Sequence, residues 1–286
     1  MTPVLWGLLG AVTFGIGDFL ARSVGRGIGP TATTLGMLIA GMVSFWVWIW
    51  VDGLPIVFDG DGYALIVPAG LVVMAATLLF FTALTRGPVS VVAPIGAGFP
   101  IWVVVIGLFL GIVPLLEQFA AMAVVMAGAI IVTRFSDPQG GDIQGKGGIA
   151  PTVVMTVAVT MMFAGVLYVA REASVIFGEV QATAWMRVVS LMAVIVFVLI
   201  RRVSFRIPRV WWPAIFAIGV LDTVAFLALL FGARAEGAPL AAVAMSSYTV
   251  ITVVLARIFF KENVPMLQWL GIVVVVVGVA ALAYLS

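Results

Sequence analysis

The chain has 286 residues, 64% of them hydrophobic and 9% charged, with a net charge of +2. About a quarter of the residues of a soluble domain are charged, so this composition cannot coat a water-exposed surface and excludes soluble-enzyme folds. The small basic excess does not mark a nucleic-acid binder, and with no His and no Cys there is no disulfide, thiolate or imidazole chemistry. No metal site or cofactor is expected, and proton or cation chemistry falls to Asp and Glu.

A spanning helix needs about 20 apolar residues. The hydropathy pattern predicts an all-α membrane protein of ten transmembrane helices, embedded in a lipid bilayer. Span 1 (3–21) carries Gly15-Ile16-Gly17-Asp18, with Arg22 one helical turn on, placed to pair with Asp18. It lacks a basic stretch and a small-residue cleavage site, so it is expected to be retained. Span 2 covers 30–51, and span 3 (62–84) ends in Phe80 and Phe81. Span 4 (88–111) holds Pro94-Ile95-Gly96-Ala97-Gly98-Phe99-Pro100, a run that weakens regular helix and frees backbone carbonyls. Span 5 (115–133) precedes the one long linker, 134–148. Spans 6 (149–170) and 7 (180–200) follow, the latter with Arg187 two turns in, placed to snorkel or to pair with Glu179. Span 8 (211–233) carries Asp222 near its middle, with Phe226 a turn further. Span 9 (239–259) has the polar centre Ser246-Ser247-Tyr248-Thr249, and span 10 covers 265–285. Trp211, Trp212 and Trp269 sit near span ends, as interfacial anchors do.

Charge sets the expected orientation. The odd-numbered connections carry 11 Lys and Arg residues and the even-numbered ones 2, while the second connection carries Asp52, Asp59 and Asp61. The positive-inside rule then puts the odd connections in the cytoplasm and both termini outside, in an inner (cell) membrane.

The two halves resemble each other. Phe14, Ala21, Arg22, Gly29 and Met37 match Phe163, Ala170, Arg171, Gly178 and Met186 at an offset of 149. Phe81 and Gly87 match Phe231 and Gly237 at 150, and Val113-Pro114 matches Val264-Pro265 at 151. The chain divides into five-helix repeats, 1–140 and 141–286, forming one membrane unit. An odd number of spans per half inserts the halves in opposite senses. Inverted repeats mark secondary carriers, with the substrate site near the midplane between the halves and access alternating by rocking.

Ser246-Ser247-Tyr248-Thr249-Val250-Ile251-Thr252, Leu255-Ala256-Arg257-Ile258-Phe259, Lys261-Glu262 and Gln268-Trp269-Leu270-Gly271 resemble the second repeat of EamA-type carriers, of the drug/metabolite transporter superfamily. Phe99-Pro100 and Pro114 fit the first repeat. The resemblance covers essentially the whole chain and is most specific in its last 50 residues. It implies a carrier of amino acids or other small metabolites, with spans 3, 4, 8 and 9 lining a central cavity. Amino acid exporters of the YddG type are the nearest reading, with aromatic or other apolar amino acids as cargo.

The expected substrate-binding residues are Asp222, Ser246, Ser247, Tyr248, Gly96 and Phe99, with Phe81 and Phe226 as apolar wall; Phe80 is a further wall candidate. Asp222 and Asp18 are the coupling candidates. Asp222 has no basic residue within one helical turn, so it is placed to carry a proton or to hold a substrate ammonium group. A different class of function also fits some residues. Gly15-Ile16-Gly17-Asp18 spells the Gly-x-Gly-Asp of intramembrane aspartyl proteases, and Asp222 offers a second carboxylate. The Tyr-Asp and Pro-Ala-Leu motifs of that family are absent, residues 238–240 reading Ala-Pro-Leu. A passive solute channel is the remaining alternative. A retinal-type photoreceptor needs an intramembrane lysine, and Lys146 and Lys261 lie at connections. Nothing in the sequence sets an oligomeric state.

Overall fold

The computed structural model describes residues 2–86, 92, 95–96, 98–134, 150–202, 207–234, 236–260 and 265–285. Among these, every regular element is helical: α1 (Pro3–Ile28), α2 (Pro30–Val51), α3 (Gly60–Arg86), α4 (Phe99–Phe109), α5 (Leu116–Arg134), α6 (Ala150–Phe177), α7 (Glu179–Arg201), α8 (Trp212–Gly232), α9 (Ala238–Met245), α10 (Tyr248–Phe260) and α11 (Met266–Tyr284), with a 3-10 turn at Arg209–Trp211. Among the described residues six helices are long and apolar enough to cross a membrane, and four shorter apolar stretches (Phe99–Phe109, Leu116–Val132, Ala238–Thr252 and Met266–Leu282) fall at the other predicted spans.

Several helices outrun their hydropathy windows. α1 continues past Arg22 to Ile28, and α6 passes Arg171 and Glu172 to reach Phe177. Charged side chains end an apolar window, but Arg and Glu are good helix formers, so the backbone has no reason to stop there. It stops instead at glycines. Gly29 follows α1 with φ 85° and ψ 161°, and Gly178 follows α6 with φ 73° and ψ 157°. That region of backbone space is open to glycine almost alone. Pro30 then starts α2 at the first helical position, where its missing N–H costs nothing. Gly29 and Gly178 are sequence mates at the offset of 149, and so are two left-handed residues further on, Gly53 (φ 62°) and Arg202 (φ 50°).

Packing follows the same correspondence. α1 lies on α8 as α3 lies on α6, α2 on α8 as α3 on α7, and α1 on α9 and α10 as α6 on α4. α2 with α7 and α5 with α11 are interfaces between corresponding spans. Where α2 crosses α8 the backbones nearly touch. A Cβ on Gly219 would sit 2.8 Å from the Gly41 nitrogen and 2.9 Å from the Met37 oxygen, so only glycine fits there. Small residues at crossings are how helices associate in lipid, which offers no hydrophobic drive between them. The opposite faces of the helices are apolar and outward: Trp50, Phe109, Leu116 and Met266 are at least 80% exposed. A belt of that kind suits lipid and not water.

Connections gather by parity. At one end Gln181 donates to the Pro55 oxygen and accepts from the Val57 nitrogen, and Glu179 pairs with Arg234, so the second, sixth and eighth connections meet. The Arg234 guanidinium, hydrogen-bonded to Glu179, is raised above its ordinary range and also lies 4.8 Å over the Phe231 ring. At the other end Trp211 packs on Gly27, joining the first and seventh. The linker residues 135–149, with Gly87, Pro88, Pro94, Ala97, Lys261 and Glu262, lie outside the described residues.

Candidate substrate site

Two helices are broken at matching places. Span 9 breaks between α9 and α10. The Ser246 N–H is shared by the Ala242 and Val243 carbonyls at 3.1 Å each, and the Ser247 N–H bonds to Ala244 at 3.2 Å. Serine hydroxyls complete the account: Ser246 and Ser247 donate to the Val243 and Ala244 carbonyls at 2.7 Å each. In span 4, Gly98 N–H reaches Ile95 oxygen and Ile101 N–H reaches Gly98 oxygen, each at 3.0 Å, and α4 starts at Phe99. Adding the offset of 149 to Phe99 gives Tyr248, the first residue of α10. The Tyr248 hydroxyl faces Gly96 of span 4, where an added Cβ would lie 3.5 Å from it.

Between the breaks is a cavity of about 150 Å³. By comparison, an apolar void of about that size is enough to bind benzene. Its walls come from both halves: α1, α2, α3, span 4, α6, α7, α8 and the α9–α10 break. Aromatic rings make much of the surface, with Phe14 edge-on to Tyr248 at 5.0 Å between centroids. The charged side chains on the wall, among the described residues, are Asp18, Arg187 and Asp222.

The structure brings most of the sequence-predicted site residues together. Asp18, Phe80, Phe81, Gly96, Phe99, Asp222, Phe226 and Tyr248 all line this cavity. Ser246 and Ser247 do not. They are buried in the break itself, their hydroxyls donating to the Val243 and Ala244 carbonyls that also accept the Ser246 and Ser247 N–H groups, so they are not on the cavity wall where they were expected. Asp222 stands on the cavity wall as expected, but with a cation beside it. Its own helix supplies no cation, but Arg187 of α7 reaches across and bonds to its Oδ2. Glu179, the partner expected for Arg187 as the alternative to snorkelling, is taken by Arg234 at the mouth of the bundle. The side chain of Arg22, expected beside Asp18, lies outside the described residues.

Several wall residues were not foreseen: Phe14 and Phe163, Met37 and Met186, Thr77, Thr160 and Met245. A signal for four of them was present, since Phe14–Phe163 and Met37–Met186 are repeat mates. In the sequence their correspondence marks only the repeat; in the structure they are also its shared lining.

The structure is similar to a crystal structure of a protein with 16% sequence identity, at a TM-score of 0.81 over 99% of this chain and 96% of that one, a likeness that speaks to the fold alone. No curated protein matches the chain in sequence. The model of the EamA-like transporter family matches residues 1–134 and 150–284, nearly the whole sequence. An apolar bundle broken at two facing points around a cavity belongs to a multi-pass membrane protein that moves small molecules, and the chain is a member of the EamA-like transporter family.

Proposed function

We infer that the protein is a secondary-active carrier that exports amino acids, aromatic or other apolar ones, or related small metabolites, by alternating access. The observation that carries this reading is the cavity itself. It is small, aromatic-walled, holds Asp18, Arg187 and Asp222, and is built from both halves of the chain. A site shared by two halves changes its exposure when one rocks on the other. The matching glycine conformations at Gly29 and Gly178, and the exchanged packing partners, support two five-helix repeats at 1–140 and 141–286. With an odd number of spans each, these repeats are inverted. On this reading the protein is not an enzyme, sits in the inner membrane with its termini outside, and has Asp18 and Asp222, both on the cavity wall, as the carboxylates for any coupling to protons.

That engagement also weighs against the protease alternative, whose two carboxylates share a proton with each other. The carrier reading is tested with the purified chain in liposomes loaded with unlabelled L-leucine or L-phenylalanine. Labelled amino acid outside should accumulate transiently inside by counterflow, and uptake should saturate. Uptake that neither saturates nor responds to internal substrate would mean a passive pore. No uptake of either amino acid would remove them as cargo.

A further inference from the structure

A guanidinium stays charged at any pH a cell meets. Arg187 therefore places a permanent cation inside the bundle. Its side chain is 6% exposed, packed so closely on α2 that a Cβ at Gly41 would lie 4.0 Å from its Cζ. Asp222 balances it and is the more open partner, 21% exposed on the cavity wall. Around the pair the wall is mostly Phe14, Phe80, Phe99, Phe163, Phe226 and Met245; among the described residues its other charged group is the Asp18 carboxylate, its further polar groups include the Thr77, Thr160 and Tyr248 hydroxyls, and it holds no second cation.

A solute that enters must leave this pair closed or split it. Breaking a buried ion pair from one side leaves an uncompensated charge and costs several kcal/mol. A monoanion that takes Arg187 strands Asp222, and a monocation that takes Asp222 strands Arg187. A small zwitterion strands neither. Its carboxylate goes to the guanidinium, its ammonium to the aspartate, and the net charge of the site is unchanged with two pairs in place of one. The guanidinium fork suits the planar carboxylate in particular.

We propose that Arg187 and Asp222 are the specificity-determining residues of the cavity, an ion pair that the substrate splits and that admits apolar zwitterions in preference to their deaminated or decarboxylated analogues. This rests on the reading of the chain as a small-metabolite carrier and adds which charges select its cargo. Neutralising one member then changes which solute fits, where a merely structural pair would only lose stability. Arg187→Gln leaves a lone carboxylate, complementary to an amine. Asp222→Asn leaves a lone guanidinium, complementary to a carboxylate.

The test uses the full chain purified in detergent and three isosteric probes: L-leucine, 4-methylpentanoate and 3-methylbutylamine, with L-phenylalanine, 3-phenylpropionate and phenethylamine as the aromatic set. Binding is read by thermal shift and by competition against labelled amino acid. Wild type should bind the amino acids at least about tenfold more tightly than either analogue. Asp222→Asn should gain the carboxylates and Arg187→Gln the amines, each about tenfold over wild type. A gain of binding cannot come from misfolding, and the absence of a gain is counted only for a variant that shows a cooperative melt in the same thermal-shift experiment. Amino acids that bind wild type with no such switch overturn this inference and leave the carrier reading standing. A switch produced by Asp18→Asn in place of Asp222→Asn also overturns it. If no probe in either set binds wild type or any variant, the amino acid reading falls, and this inference with it.

Discussion

A hydroxyl deep in a bilayer bundle has two uses: it can meet a solute, or it can repair a helix. Ser247 does the second, donating to the Ala244 carbonyl at 2.7 Å inside the α9–α10 break. Tyr248, the next residue, is placed for the first, with its hydroxyl beside Gly96 in the cavity. Ser247→Ala should therefore lower stability by about 1 kcal/mol, the ordinary worth of a hydrogen bond, and leave ligand affinity unchanged. Tyr248→Phe should do the reverse, weakening ligand binding by about threefold to tenfold at unchanged melting temperature. Isothermal competition binding and thermal melts on both variants check this. An affinity loss in Ser247→Ala alone would return the serines to the binding surface. In sequence the two residues looked alike, polar positions in one apolar span. What separates them is which side of a helix break each side chain leaves from, and that follows from where the break falls.

At the scale of elements, helix ends are set by backbone conformation more than by hydropathy. Gly178 at φ 73° and ψ 157° turns α6 into α7 in a region closed to other residues. Gly178→Ala should destabilise the protein by about 1–3 kcal/mol, and Gly29→Ala, its mate at φ 85°, by a similar amount. Arg202 is the opposite case, a non-glycine residue in the left-handed conformation at φ 50°. Arg202→Gly relieves that strain, worth about 1–2 kcal/mol, against the added entropy of a glycine in the unfolded chain. Its expected melting temperature is unchanged or slightly raised. Denaturation in mild detergent separates the three. Equal loss in Arg202→Gly and Gly178→Ala would mean that the Arg202 side chain, not its backbone, holds that turn.

Across the whole molecule, the second, sixth and eighth connections meet at one end through Gln181 and the Glu179–Arg234 pair, and the first and seventh meet at the other through Gly27 and Trp211. This parity agrees with ten alternating crossings. The side that faces the cytoplasm comes from the charge bias alone. With no cysteine in the chain, single replacements are clean reporters. Arg209→Cys should resist an impermeant maleimide in intact cells and react after permeabilisation. Asp52→Cys should react in intact cells. The reverse pattern would invert the orientation and leave the bundle as described.

The sequence by itself pointed to the membrane class, the place of the apolar spans, the irregular centre of span 4 and the polar centre of span 9, and the correspondence between the halves. Each of these rests on local or periodic properties: hydropathy over about 20 residues, Pro and Gly clusters, and a fixed offset. The resemblance to EamA-type carriers, which implies spans 3, 4, 8 and 9 around one cavity, put Asp222, Phe226, Gly96 and Phe99 in one neighbourhood, and all four line the cavity. The tertiary structure alone decided that Arg187 balances Asp222, that Glu179 goes to Arg234, and that Phe14 and Phe163 close the cavity from opposite halves. Arg187 and Asp222 stand 35 residues apart on different helices. Whether such groups meet depends on how α7 and α8 are rotated about their axes. The close approach of Gly41 and Gly219 helps to fix the seat of α8, and no local pattern around either charge records that rotation.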